Sequence, residues 1–151
     1  MRPHTIAGTG IAATTVMSLY SYVLSAVKQE QFREPEVLAA LIVRLSPHLK
    51  RSRVRALAWG VHYAVGVFFA AIYHSLWRQQ GTRPRFTGGL LAGGITGIGA
   101  IAVWRAVIAV HPCPPRLRYR AYYGQLLPAH VLFGIAAAAI FRFSSSRSPS
   151  A

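Results

Sequence analysis

Two histidines lie at matching positions in apolar stretches of this sequence. His62 and His130 each begin the pattern His-x3-Gly-x3-Ala-Ala-Ile-aromatic, with Gly66 and Gly134 in the same place. An imidazole in an apolar segment is costly to bury, and it can change its charge near neutral pH. The shared pattern therefore predicts two rings at one depth on two similar helices, where they could hold a ligand or a proton.

Three roles are open to this pair. In the first, the rings form a hydrogen-bonded structural pair that holds two helices together. In the second, they belong to a site for a ligand, a lipid or a proton, and polar groups from neighbouring helices join them. In the third, they ligate haem b, for which the glycine four residues after each histidine would leave room. The second role takes as candidates His62, His130, Arg105, His111 and Gln125, and the third takes His62 and His130 as haem ligands.

The sequence offers little else that could carry catalysis. It contains three acidic residues in all, and Cys113 is its single cysteine, which excludes an internal disulfide and a multi-cysteine zinc site. The phosphate-loop, zinc-protease, serine-hydrolase and dinucleotide fingerprints are absent. We therefore predict no catalytic residue and no metal ligand outside the haem alternative, and an enzyme is the less favoured class.

Four long apolar segments must position the candidate residues. The chain is 53% hydrophobic and 13% charged, and about 20 apolar residues suffice to cross a bilayer core. Such segments occupy residues 6–27, 56–77, 87–110 and 121–141, and none alternates with a period of two. We predict an all-α membrane protein with four transmembrane helices in a single domain, 1–143, followed by a disordered tail at 144–151.

The connecting segments carry most of the charge. The chain has a formal net charge of +14, but a soluble nucleic-acid-binding domain would not be this apolar, so no nucleic acid is expected. Loop one, residues 28–55, contains a short apolar stretch between Pro35 and Pro47 that predicts a helix lying in the membrane interface. The residues that follow it are expected to face anionic headgroups: Lys50, Arg51, Arg53 and Arg55. Loops one and three are the more basic, which predicts that they are cytoplasmic and that both termini lie outside.

Small residues predict how the helices meet. Gly89, Gly93 and Gly97 follow at four-residue spacing on one face of the third span, and Gly66 and Gly134 mark similar tracks on the second and fourth. Two uses are open: packing within one chain, or homodimerisation through the glycine face of the third span. The shared histidine pattern also suggests two repeated hairpins related by an axis along the membrane normal, unless the match is a chance similarity between Ala-rich helices.

The order of features resembles that of small, functionally uncharacterised bacterial inner-membrane proteins of the YagU-like kind. The residues that carry the resemblance are Val16-Met17-Ser18, His62-Tyr63-Ala64-Val65-Gly66, Tyr73, the glycine-rich third span with Trp104, and Pro128-Ala129-His130-Val131-Leu132-Phe133-Gly134. The resemblance extends over residues 5–141. It implies a multi-helix protein of the bacterial cytoplasmic membrane, and it implies no activity.

Three classes of function follow from these predictions. The leading class is a non-enzymatic scaffold or a subunit that binds a lipid or a partner, within a homo-oligomer or a larger membrane complex. The second is an oligomeric transporter or channel subunit, because four short spans with few polar side chains could not readily line a monomeric pore. The third is a haem-binding redox subunit.

Overall fold

The computed structural model describes residues 3–82 and 84–146, and within those ranges every regular element is a helix. The helices are α1 (Pro3–Lys28), α2 (Glu34–Leu45), α3 (Arg51–Gln79), α4 (Phe86–Val110) and α5 (Tyr119–Ser146). All except α2 are long and apolar enough to cross a membrane. The prediction of an all-α chain with four candidate spans is confirmed, and the short helix predicted in loop one is α2.

Proline and glycine set several of the helix ends. Pro35 lies in the first turn of α2, where its missing N–H is not needed, and Pro47 follows the end of that helix. Gly81, with a φ of 60°, follows α3, and Pro112 follows α4. No proline or glycine occurs between residues 141 and 146, and α5 continues through Ser146. The disordered tail predicted at 144–151 stays a prediction: α5 includes its first three residues, and residues 147–151 lie outside the described part of the chain.

The four long helices form an antiparallel bundle. Along α1 and α3, Gly10 approaches Val67 near one end and Ser18 bonds His62 nearer the other. Helices α4 and α5 run antiparallel in the same way, and α5 also packs beside α1. One end of the bundle therefore contains the C-terminus of α1, all of α2, the N-termini of α3 and α5, and residues 111–118 after α4. We call this the basic end, and we call the other the opposite end.

The predicted packing glycines lie where helices approach most closely. A Cβ on Gly66 would collide with the Thr14 hydroxyl on α1, and a Cβ on Gly134 would collide with the Gly89 carbonyl on α4. Gly93 and Gly97 lie against α5 in turn, so the glycine face of α4 is buried within the chain. The structure thus supports the intramolecular use of this face. In each hairpin the glycine of the shared pattern lies against the neighbouring helix, while the repeat itself stays a prediction.

The interior differs between the two ends. Toward the opposite end, the core is aromatic and alanine-rich and includes Tyr73, Trp77, Phe133 and Phe141. Toward the basic end, hydroxyl groups of α1 reach other helices. Thr14 bonds only a carbonyl of its own helix, whereas Ser18 and Ser21 bond side chains of α3, α2 and α5. The polar half of the bundle is therefore the half that holds the predicted candidate residues.

Helix α2 lies across the basic end and packs on the other helices. Val37 and Leu41 are buried with Ile108 of α4 and Tyr122 of α5, and Ala39 is buried against α3. The apolar face that predicted an interfacial helix is therefore covered by the protein itself. The start of α2 reaches deepest, because Phe32 and Glu34 contact Gln125, which lies about 9 Å inside the start of α5 at 1.5 Å per residue.

Candidate functional site

A buried carboxyl group occupies the junction of α1, α2 and α5. Glu34, the first residue of α2, is 4% exposed. Its Oε1 accepts a hydrogen bond from Gln125 Nε2 at 3.1 Å, and the Ser21 hydroxyl lies 3.3 Å from the same oxygen. Gln125 Nε2 also donates to the Phe32 carbonyl at 3.2 Å. One glutamine thus holds the first turn of α2 against α5 at two points.

Two polar atoms of this junction are buried without a hydrogen-bond partner among the described residues. They are Glu34 Oε2 and the Tyr122 hydroxyl. The phenol lies close enough to the carboxyl group for the two to interact electrostatically. Native interiors leave few such atoms unpaired, so this pair marks the junction as unusual.

The electrostatic surroundings favour the neutral form of Glu34. Burial raises the pKa of Glu34 to about 6, against the lowering effect of hydrogen bonds from Gln125, its own backbone N–H and Ser21. The other two acidic residues are nearer the surface and form ion pairs, Glu36 with Arg55 at 3.0 Å and Glu30 with Arg118. Among the described residues, no basic side chain forms an ion pair with Glu34.

The two patterned histidines lie near enough for their charges to interact, and each ring bonds a different partner. His62 Nε2 lies 3.0 Å from the Ser18 hydroxyl, so this ring links α3 to α1. His130 Nδ1 donates to the Leu126 carbonyl of its own helix at 2.8 Å, which leaves a lone pair on Nε2. Each ring is thus anchored through one nitrogen.

The space that the haem alternative requires is filled. The glycines beside the histidines were expected to leave room for a macrocycle, but Gly66 faces Thr14 of α1, and Gly134 faces Gly89 and Gly93 of α4. Both faces are in contact with neighbouring helices at backbone distance. The residues around His62 and His130 therefore do not fit haem.

The remaining predicted candidates lie apart from the histidine pair. His111 is buried where α4 ends; its Nδ1 accepts from the Cys113 backbone N–H at 3.1 Å, so Nε2 carries the proton and donates to the Leu41 carbonyl at 3.1 Å. This ring fastens α2 to the α4–α5 connection. Arg105 is exposed, near Tyr123. Of the five candidates, only Gln125 belongs to the buried junction.

Sequence reasoning missed Glu34, Ser21 and Tyr122. Hydropathy points to buried ionisable groups only within the four apolar spans, and Glu34 falls in loop one. Two signals were available. Hydroxyl residues recur at helical spacing on α1, at Thr14, Ser18 and Ser21, and a Glu-Pro pair starts a short apolar helix. Together they indicate a polar helix face and a loop segment that could dock against it.

The surface of the basic end is strongly cationic. Exposed basic side chains from every element of this end gather here: Lys28, Arg44, Lys50, Arg51, Arg53, Arg55, Arg105, Arg116, Arg118 and Arg120. An open groove of about 430 Å³ runs between α2 and residues 113–117, with Arg44 and Arg116 in its lining. Glu30 and Glu36 each pair with one arginine, and Glu34 is buried without an ion pair among the described residues. Most of this positive charge is therefore uncompensated within the protein.

Comparison with protein-family models, with curated proteins and with solved structures found no match for this chain.

Proposed function

We propose that this chain is a multi-pass protein of a bacterial inner membrane whose basic end binds anionic phospholipid headgroups, in a scaffold or as a subunit of a membrane complex. The observation that carries the proposal is the concentration of uncompensated basic side chains at one end of the bundle. Four apolar helices supply the membrane anchor. The YagU-like resemblance agrees with this location and adds no activity.

The start of α3 provides the clearest headgroup surface. Lys50, Arg51 and Arg53 are exposed and have no acidic partner among the described residues, whereas Arg55 is paired with Glu36. Each basic side chain near an anionic leaflet contributes about 1 kcal/mol of attraction. Three such residues at the N-terminal end of α3, which is a candidate span, suit a phosphate-bearing surface.

The lipid proposal is tested by removing two charges at either end. The double variant R51Q/R53Q takes two cations from the basic end, and R78Q/R85Q takes two exposed cations from the opposite end as the matched control. We expect R51Q/R53Q to weaken binding of phosphatidylglycerol relative to phosphatidylcholine by roughly 30-fold, the equivalent of about 2 kcal/mol. Lipid retained through purification in neutral detergent is measured by mass spectrometry. Equal losses in both variants, or no loss in either, contradict the proposal.

The orientation is tested through the single cysteine. Cys113 is exposed and lies between α4 and α5 at the basic end. Under the proposed topology, with loops one and three cytoplasmic and both termini outside, a membrane-impermeant maleimide labels Cys113 only after the cells are lysed. Labelling of intact spheroplasts at the same rate reverses the orientation, and the C113S variant measures background labelling.

The transporter and haem alternatives have less support in the structure. Toward the opposite end, the groups that follow Ser18 along this face of α1 are Thr14 and Thr9, which bond carbonyls of their own helix, and the core there is aromatic and alanine-rich. The oligomeric mass in detergent tests the transporter alternative, since an oligomer could form a pore between copies. The absorption spectrum after haem supplementation tests the redox alternative, for which we expect no haem band.

A further inference from the structure

The hydrogen bonds of Glu34 are distributed unevenly between its two oxygens. Gln125 Nε2 donates to Oε1 at 3.1 Å, and the Ser21 hydroxyl lies 3.3 Å from both Oε1 and Gln125 Oε1, so its one proton can go to either. Oε2 is buried and has no hydrogen-bond donor. A carboxylate shares its negative charge between both oxygens and needs donors at each, whereas a carboxylic acid has one accepting carbonyl oxygen and one O–H. The hydrogen bonds around Glu34 therefore fit the protonated form of its carboxyl group.

Few groups around Glu34 could stabilise its ionised form. The titratable side chains that interact with it are phenols, Tyr20 from α1 and Tyr122 from α5. On its own helix, Glu36 pairs with Arg55. The preceding Arg33 bonds Gln31 and lies over the Tyr22 ring. A buried carboxylate without a cation is strongly disfavoured, although the N-terminal position in α2 offsets part of that cost.

We propose that Glu34 is a proton-binding site of the basic end, which takes one proton from the aqueous phase onto Oε2. The O–H bond formed is that of the carboxylic acid, and the bond broken is an O–H bond of the hydronium ion that supplies the proton. The Tyr122 hydroxyl forms no hydrogen bond with Oε2, since both atoms are without a partner. The ligand is a proton, and the site does not depend on lipid binding by the basic surface.

Proton binding at this position acts on the docking of α2. The first turn of α2 is held by Gln125, which bonds both the Phe32 carbonyl and Glu34 Oε1. When the proton leaves, Oε2 becomes a buried charge without a donor, and hydration of that charge requires this turn to move away from α1 and α5. The proton therefore favours the docked position of α2.

The small number of acids in the chain allows a direct test. Glu30 and Glu36 are surface partners of arginines, so the double variant E30Q/E36Q leaves Glu34 as the only side-chain carboxyl group. The protein is labelled with ¹³C at the glutamate carboxyl carbon, and its resonance is followed against pH in detergent micelles. We expect one titrating resonance with a midpoint at about pH 6, a proton affinity about 30-fold above that of an exposed glutamate.

The E34Q variant completes the experiment. It keeps a carbonyl acceptor for Gln125 and removes the titrating group, so the transition near pH 6 must vanish from it. A midpoint in the range of an exposed glutamate overturns the proposal even where E34Q fails to fold. A midpoint that moves when sodium replaces choline at constant ionic strength also overturns it, because the site then binds a metal cation.

Discussion

The glycine face of α4 provides the sharpest test of the packing, through the substitution Gly93→Ala. A Cβ on Gly93 would fall against the His130 carbonyl oxygen and lie 2.7 Å from Val131 Cα. Carbon atoms pack at about 3.5–4.0 Å, so α4 and α5 must separate by about 1 Å at this point. Both obstacles are backbone atoms, and no side-chain rotation relieves the overlap.

The expected cost follows from that separation. Overpacking a well-packed interface costs roughly 1–3 kcal/mol, and we expect Gly93→Ala to lower the free energy of unfolding by about 2 kcal/mol. The adjacent Gly94→Ala is the matched control, because a Cβ on Gly94 meets nothing within 4 Å. We expect its effect to lie between zero and a gain of about 1 kcal/mol from helix propensity.

The assay is reversible unfolding in mixed detergent micelles, followed by tryptophan fluorescence. Trp104 of α4 packs edge-on against Tyr122 of α5, with ring centroids 5.5 Å apart, so its emission reports on the separation of this hairpin. Equal stability of the Gly93 and Gly94 variants refutes the packing argument. Loss of self-association by Gly93→Ile with an unchanged monomer restores the homodimer alternative.

Three other outcomes follow from the contacts. His111→Ala removes the ring that fastens α2 to the α4–α5 connection and should destabilise the docking of α2 by about 1–3 kcal/mol. We expect faster amide hydrogen exchange in α2. The control His48→Ala changes an exposed residue and should leave that exchange unchanged. Tyr73→Phe removes a 2.7 Å bond to Thr96 and should cost about 1 kcal/mol, with Thr96→Val adding little on top in a double-mutant cycle. Folded Glu34 binds its proton more tightly than the unfolded chain does, so the free energy of unfolding should fall by about 2 kcal/mol as pH rises from about 3.5 to about 7, and E34Q should lose this dependence.

The spans and their packing glycines were predictable from the sequence because they follow from local patterns. Uncharged segments of about 20 residues identify the helices, and the four-residue spacing of Gly89, Gly93 and Gly97 defines a face whichever helix covers it. That α5 covers this face was left open at that stage. Which helix covers the face depends on shape complementarity with Gly134 and His130 of that helix. The spacing of residues within α4 alone does not determine this partner.

The buried junction could be predicted only in part. Gln125 was a candidate because it lies in an apolar span, and Glu34 was not, because hydropathy places it in a loop. Its burial arises from a long-range contact: α2 packs over Ile108, Tyr122 and neighbouring residues that come much later in the chain. A charged loop residue is buried when other elements of the fold pack over it. A hydropathy average over neighbouring residues carries no information about such long-range contacts.

The docking of α2 also constrains the order in which the protein assembles. Glu34 and its partner Gln125 are 91 residues apart, with two of the long helices between them. At a synthesis rate of about 5–20 residues per second, Gln125 leaves the ribosome roughly 5–20 s after Glu34. During that interval the carboxyl group lacks the donor that joins it to α5, and Ser21 of α1 is the partner already made. Closure of α2 is therefore a late event of biogenesis, which waits for the last helix to be inserted.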